Sequence, residues 1–287
     1  MKLWKKFALS AASIAAFGLG LYFAYPSIKS SISNIIERKK EQIIYGLSNM
    51  TPAEEISTKN IMSWNLQAFG TKKARDSSLM QNYREVITNA DIAFLQEIRD
   101  ASGKAVEELK QRLPEYNFWI SSRAGRSESK EQYGVLYRKP IEVLSITDFN
   151  PDKSNRWERP PVLVNFKIND YTLRVYNIHL KPTEVKQEMS ELEKTVLTNG
   201  NIVIFGDLNA SGSYYNRQKE KQFMDWKWII KDSDDTTLAK SANAYDRILM
   251  NKDAYKEYFG YSIYTNTTPK MSDHYPIFFK IKAKESN

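Results

Sequence analysis

The chain contains no cysteine. That excludes a disulfide scaffold, a thiolate zinc site and a cysteine nucleophile together. Histidine is nearly as scarce, with only His179 and His274. A three-histidine metal site is therefore impossible, and any imidazole chemistry must use one or both of these residues. Internal repeats and low-complexity tracts are also missing, so solenoids and disordered arrays are excluded. What is there is ordinary globular material. The 287 residues are 41% apolar and 26% charged, enough for one large domain or two small ones with a real core. The net charge of +8 is compatible with a polyanionic partner without requiring one.

One long uncharged run breaks the pattern. Residues 7–28 read FALSAASIAAFGLGLYFAYPSI, preceded by Lys2, Lys5 and Lys6 and followed by Lys29. A run of this length can cross a hydrocarbon core as a helix. No polar face marks it as a core helix, and the bulky LYFAYPSI end favours an uncleaved anchor over a signal peptide, the alternative in which the protein is secreted after cleavage. The leading lysines predict a cytoplasmic N-terminus and the bulk of the protein facing away from the cytoplasm. The expected organisation is an anchor over 1–29, a polar stalk with one helical stretch over 30–58, and a folded domain over 59–287.

From residue 60 onward, short runs rich in β-branched and aromatic residues predict strands at 61–64, 92–95, 116–120, 133–137, 162–168, 173–178, 202–205, 247–250 and 275–281. Helical spacing of apolar residues predicts helices at Leu79–Ala90, Ala105–Leu113 and Val185–Val196. The segment Trp226–Ile230 reads as a further core strand. Many strands with a few helices imply two sheets with helices packed outside.

The residues that end these strands carry the chemistry. IMSW runs into Asn65, IAFL into Gln96 and Glu97, LRVYNI into His179, and IVIFG into Asp207 and Asn209. Tyr245 and Asp246 open RILM, while Ser272, Asp273 and His274 open YPIFF. If the last two strands run antiparallel to the others, all of these groups share one rim of the sheets, where α/β folds commonly bind ligands. Any one of them could be a polar residue ending a strand. Together they hold both histidines with several carboxylates and carboxamides. Oxygen ligands without cysteine suit a hard cation such as Mg2+, with Mn2+ or Ca2+ as alternatives. A divalent cation with imidazoles fits phosphoryl-ester cleavage.

Eight motifs in shared order make the sequence resemble the endonuclease/exonuclease/phosphatase superfamily, and within it the deoxyribonuclease I branch. They are SWNLQAFG (63–70), FLQEIRD (94–100), SKEQYGVLYR (129–138), RPP (159–161), NIHLKP (177–182), GDLNA (206–210), DSDDTTLAKSANAYDRI (232–248) and SDHYP (272–276). The resemblance implies a four-layered α/β/β/α sandwich and a divalent-metal-dependent phosphodiesterase acting on DNA without sequence specificity. By motif, Asn65, Glu97 and Asp273 would hold the metal. Asp207 and Asn209 would bind the scissile phosphate and attacking water, or a second metal. Glu131 would pair with His179 and Asp246 with His274, one imidazole serving as base and the other as acid. Arg99 and Arg159 match positions that contact the DNA backbone, Tyr245 lies beside the second pair, and Asp235 and Thr237 match a structural calcium site.

Gln67 and Ser129 stand where the best-known members have an arginine and a groove-binding tyrosine, which leaves single-stranded substrates open. Trp157, beside Arg159, is a candidate for substrate contact. Two other readings compete with the nuclease: a phosphatase or sphingomyelinase-type phosphodiesterase on the same fold, and a non-catalytic binding module. No protein partner is expected.

Overall fold

The computed structural model describes residues 57–282 together with 36, 37, 39 and 40. The chain divides into two units, Met1–Glu55 and Ile56–Asn287. In the first, the described residues Ile36, Glu37, Lys39 and Lys40 are helical, and Lys40 Nζ lies 3.1 Å from Glu37 Oε1. The expected anchor over 1–29 lies outside the described residues. No helix among the described residues is long and apolar enough to cross a membrane.

The second unit is built from two six-stranded sheets. The first contains β1 (Thr58–Phe69), β2 (Ile92–Ile98), β3 (Tyr116–Ile120), β4 (Gln132–Arg138), β11 (Tyr258–Ile263) and β12 (Ile277–Lys282), in the order β11-β12-β1-β2-β4-β3. The second contains β5 (Glu142–Asp148), β6 (Val162–Ile168), β7 (Tyr171–Asn177), β8 (Asn201–Asp207), β9 (Lys227–Trp228) and β10 (Asp246–Met250), in the order β5-β6-β7-β8-β10-β9. β1 and β2 are parallel, as are β7 and β8, whereas β12 and β10 run antiparallel to their neighbours β1 and β8. This is the arrangement that brings all the strand-end groups to one rim.

The period-2 alternation of the strands sorts their side chains into three cores. Ile61, Phe94 and Phe279 of the first sheet meet Phe166, Val175 and Phe205 of the second, with edge-to-face ring contacts between Phe94 and both Phe166 and Phe205. The opposite face of the first sheet, including Met62, Trp64 and Leu95, is covered by α2 (Ser77–Ile87) and α3 (Lys104–Arg112), through Met80, Tyr83, Val106 and Leu109. The opposite face of the second, including Ile202 and Ile204, is covered by α4 (Val185–Thr195), through Met189 and Leu192. Short helices α1 (Thr71–Ala74), α5 (Arg217–Glu220) and α6 (Lys252–Tyr255) complete the unit. The layers are thus helix, sheet, sheet, helix, an α/β sandwich.

The nine expected strands and three expected helices are present. The strands that periodicity missed, β5 and β11, lie at sheet edges. An edge strand packs on few neighbours, so its apolar pattern is diluted, and Leu144 of β5 is exposed. The expected core strand at 226–230 forms only as the two-residue β9, with Ile229 and Ile230 buried beyond it. Trp157 corrects the expectation of substrate contact. It is buried, donates from Nε1 to the Glu188 carbonyl, and carries the Arg156 guanidinium over its ring.

Candidate active site

At the rim, the strands stop being regular. Gln67 and Ala68 near the end of β1, Glu97 in β2 and Asn209 after β8 all adopt positive φ, between 48° and 59°. The β1–β2 and β2–β4 registers shift at the same places. Left-handed backbone at non-glycine residues costs of order 1–3 kcal/mol each and clusters where side chains must be aimed. Here it accompanies Glu97, which reaches the Asn65 amide, and Asn209, which reaches the Leu180 carbonyl.

Two carboxylate–imidazole pairs meet there. Glu131 Oε1 lies 2.7 Å from His179 Nδ1, and Asp246 Oδ2 lies 2.7 Å from His274 Nδ1. Both Nε2 atoms point at the same oxygen, Asp207 Oδ2, at 3.4 Å from His179 and 3.5 Å from His274. Asn65 Nδ2 donates to that oxygen at 2.9 Å and also to Glu97 Oε1 at 3.2 Å. Asn209 donates its backbone N–H to Asp207 Oδ1 at 3.1 Å and its amide to the Leu180 carbonyl at 3.0 Å. Residues from seven motifs far apart in the chain therefore share one cluster of hydrogen bonds and ion pairs.

The charges respond to this packing. Burial alone would depress the His274 imidazole, but the Asp246 and Asp207 carboxylates outweigh burial and push it up to about 10. His179 moves the same way, with Glu131 and Asp207 overcoming burial and the nearby Arg159. Asp207 is held below the usual carboxylate range because the two imidazoles outweigh its burial. The pairs differ in their surroundings. Glu131 has Arg159 Nε at 3.4 Å and Arg99 Nη2 at 3.7 Å; against burial, His179 and these guanidiniums draw its pKa down. Among the described residues no guanidinium pairs with Asp246, and burial drives its pKa up.

The remaining expected residues fall into distinct places. Arg99 reaches across the rim, 2.9 Å from Glu97 Oε2 and donating to Ser129 Oγ at 2.9 Å. Arg159 is turned inward and donates from Nε to the His179 carbonyl at 2.9 Å and from Nη2 to the Leu180 carbonyl at 3.0 Å. Asp273 is well exposed, with Oδ1 3.9 Å from His274 Nε2. Tyr245 lines a cleft of about 230 Å³ with Gln67, Thr237, Asp273 and His274. The Asp235 carboxylate accepts from the backbone N–H groups of Thr237 and Asn243, both at 3.2 Å, and so braces its own loop.

Other residues at the site drew no attention in the sequence. Lys73 donates to the carbonyls of Leu66, Gln67 and Met271, clamping the β1 exit against the loop that carries Asp273. Burial lowers its pKa to about 8 although Asp273 and Glu97 pull upward. It lies in a run of basic residues with nothing to mark it. Tyr133 accepts from the His179 N–H at 3.0 Å, and its position two residues after Glu131 in KEQY was the available signal.

The donors fit a hard cation. Glu97 and Asp273 offer carboxylate oxygens at the open side of the rim, Asp207 and the Asn65 amide stand beside Glu97, and no thiolate competes. Two groupings bring carboxylates and an imidazole close enough to share an ion: Glu97, Glu131 and His179, and Asp207, Asp246 and His274. A hard cation prefers oxygen to imidazole nitrogen, which makes the carboxylates and the carboxamide the better ligands.

Comparison with known proteins agrees with this chemistry. The chain is 28% identical over 275 residues to human deoxyribonuclease gamma, covering 79% of this chain and 87% of the relative. It is likewise 28% identical to rat deoxyribonuclease-1, covering 77% of this chain and 90% of the relative. Among solved structures, an endonuclease/exonuclease/phosphatase from Bacteroides vulgatus superposes with a TM-score of 0.59 at 16% identity, over 79% of this chain and all of that one. D. rerio TDP2 complexed with single strand DNA product also superposes with a TM-score of 0.59, at 16% identity, over 78% of this chain and 98% of that one. The model of the endonuclease/exonuclease/phosphatase family matches residues 62–274, the span that runs from the first sheet to the second histidine, and the chain belongs to that family.

Proposed function

We propose that the protein is a divalent-metal-dependent phosphodiesterase that hydrolyses DNA. The observation that carries this reading is the convergence of two carboxylate-braced imidazoles on one buried aspartate oxygen. The deoxyribonuclease relatives supply the substrate class.

A bound cation held by Glu97, Asp273 and Asn65 would neutralise phosphoryl charge and stabilise the departing oxygen. The chain's own groups do the rest. His179 is flanked by Arg159 and Arg99 through Glu131, and guanidiniums ease loss of its proton, so it takes the proton of the attacking water. His274 stands among Asp246, Asp207 and Asp273, which hold its proton, so it protonates the leaving oxygen. Glu131 and Asp246 fix the ring orientations and leave each Nε2 facing the reacting centre. Asn209 and Asp207 position the phosphate and water. Arg99 meets the phosphate chain, while Arg159 acts as a positioning residue for the His179 loop.

The apolar run at residues 7–28 would tether this domain to a membrane on the side away from the cytoplasm. Protease protection of the C-terminal part within intact cells would overturn that topology. For the activity, the full chain is incubated with plasmid and single-stranded DNA in magnesium or EDTA, with inositol phosphates and sphingomyelin in parallel. Magnesium-dependent DNA cleavage, lost in His274→Ala, is the expected result. Phosphate or phosphocholine release with DNA untouched would replace this reading with the phosphatase one.

A further inference from the structure

A second cleft, of about 470 Å³, lies at the edge strand β9, lined by Arg217, Lys221, Trp226, Lys227 and Trp228 with Met224, and shares no lining residue with the cleft beside His274. Its three cations are exposed and make no ion pair among the described residues, and neighbouring Glu220 is taken up by Lys186 at 2.6 Å. The Arg217 guanidinium sits 5.4 Å over the Trp228 ring. Asp225 is the one acid of the 221–227 loop. The cleft is thus concave and cationic, with half-buried indole walls. Cations that follow a phosphate chain, beside aromatic faces on which bases can stack, are the means of gripping a single strand. A paired duplex keeps its bases out of reach of such walls.

The cleft is joined to the rim through consecutive residues. Tyr214 packs on Tyr245 with centroids 5.7 Å apart, and Tyr245 lines the space beside His274. The next residue, Tyr215, stacks on Trp228 with centroids 6.1 Å apart and planes at 18°. We infer that the β9 cleft is a second nucleic-acid site, which holds unpaired nucleotides flanking the phosphodiester bound at the rim. This rests on the phosphodiesterase reading above. A lipid surface is the other partner suited to lysine and tryptophan, but it is met by several protruding apolar side chains, and here both indoles are half-buried and Met224 alone of the apolar lining is exposed.

The test uses the full chain and the variant R217Q/K221Q/K227Q, none of whose positions touches the rim. Binding of a 20-nucleotide single strand is measured by fluorescence anisotropy in EDTA, and cleavage of a four-nucleotide substrate is measured in magnesium. The expected result is an affinity for the long strand about tenfold weaker in the variant, with a shallower salt dependence, and unchanged cleavage of the short substrate. Trp226→Ala should weaken the long strand similarly, and Trp226→Phe, which keeps a stacking face, should restore it. Equal affinity of the wild type and the triple variant for the long strand overturns the inference. So does cation-dependent binding to phosphatidylserine vesicles with no strand binding. If neither protein cleaves DNA yet strand binding still depends on the three cations, the cleft stands and the catalytic reading falls.

Discussion

His179 and His274 have the same immediate partner, a carboxylate 2.7 Å from Nδ1, yet different outer surroundings. That difference separates their roles experimentally. His179→Ala and His274→Ala should each lower kcat by roughly 10²–10⁴-fold. On a substrate whose leaving oxygen is replaced by sulfur, which departs without protonation, His274→Ala should regain most of its loss and His179→Ala none; rescue of the other variant reverses the assignment. A second consequence concerns stability. The folded-state pKa of His274, near 10, lies above that of a free imidazole. Its contribution is therefore fully present below about pH 6.5 and is lost as pH rises through about 10. Urea unfolding in EDTA should show stability falling across that window, and His274→Gln should flatten the fall. The identity of both pairs was legible in the sequence, because HLKP, KEQY, YDRI and SDHYP name their members. The inequality of the pairs was not, since it depends on where Arg99 and Arg159 lie around Glu131.

At the scale of elements, the rim depends on strands ending in the right place. Gly206 sits at φ 144° in β8, one residue before Asp207, and a Cβ there would collide with the Ile178 carbonyl. Gly206→Ala should therefore cost about 3 kcal/mol or more of unfolding free energy, because it combines backbone strain with a clash that two packed strands cannot relieve. A urea midpoint like that of the wild type would contradict this. The central strands were readable from their apolar runs, and the helices from their spacing. The edge strands β5 and β11 were not, because half-exposed strands need no apolar alternation. Arg159 and Trp157 show the same limit on the site. Both belong to a segment that looks able to meet substrate, and both fold inward because the carbonyls of His179, Leu180 and Glu188 need donors.

Across the whole second unit, the site exists only where the two sheets meet. Gln96 of the first sheet donates across the interface to Asn177 of the second at 2.6 Å, and to Ser63 at 2.9 Å. Replacing it by leucine leaves the buried Asn177 side-chain oxygen, Oδ1, without this donor, at an expected cost of about 1–3 kcal/mol. Gln96→Leu should also weaken catalysis more than its stability loss explains, since it loosens the seam between Glu97 and His179. Unchanged turnover in a folded Gln96→Leu protein would show that the apolar core alone holds the sheets in register.

By itself, the sequence determined which segments are strands and helices, which face of each is apolar, and which polar residues stand at strand ends. These are local properties, carried by periodicities of a few residues. Its ordered motifs also named the family. The folded arrangement alone reveals that Asn65, His179 and His274 share one aspartate oxygen, that Arg159 braces a loop, that Lys73 clamps the rim, and that a basic aromatic cleft opens beside Tyr215. Those outcomes depend on which donor fills which acceptor between distant segments, and that is settled only when two sheets close on one another and exclude water.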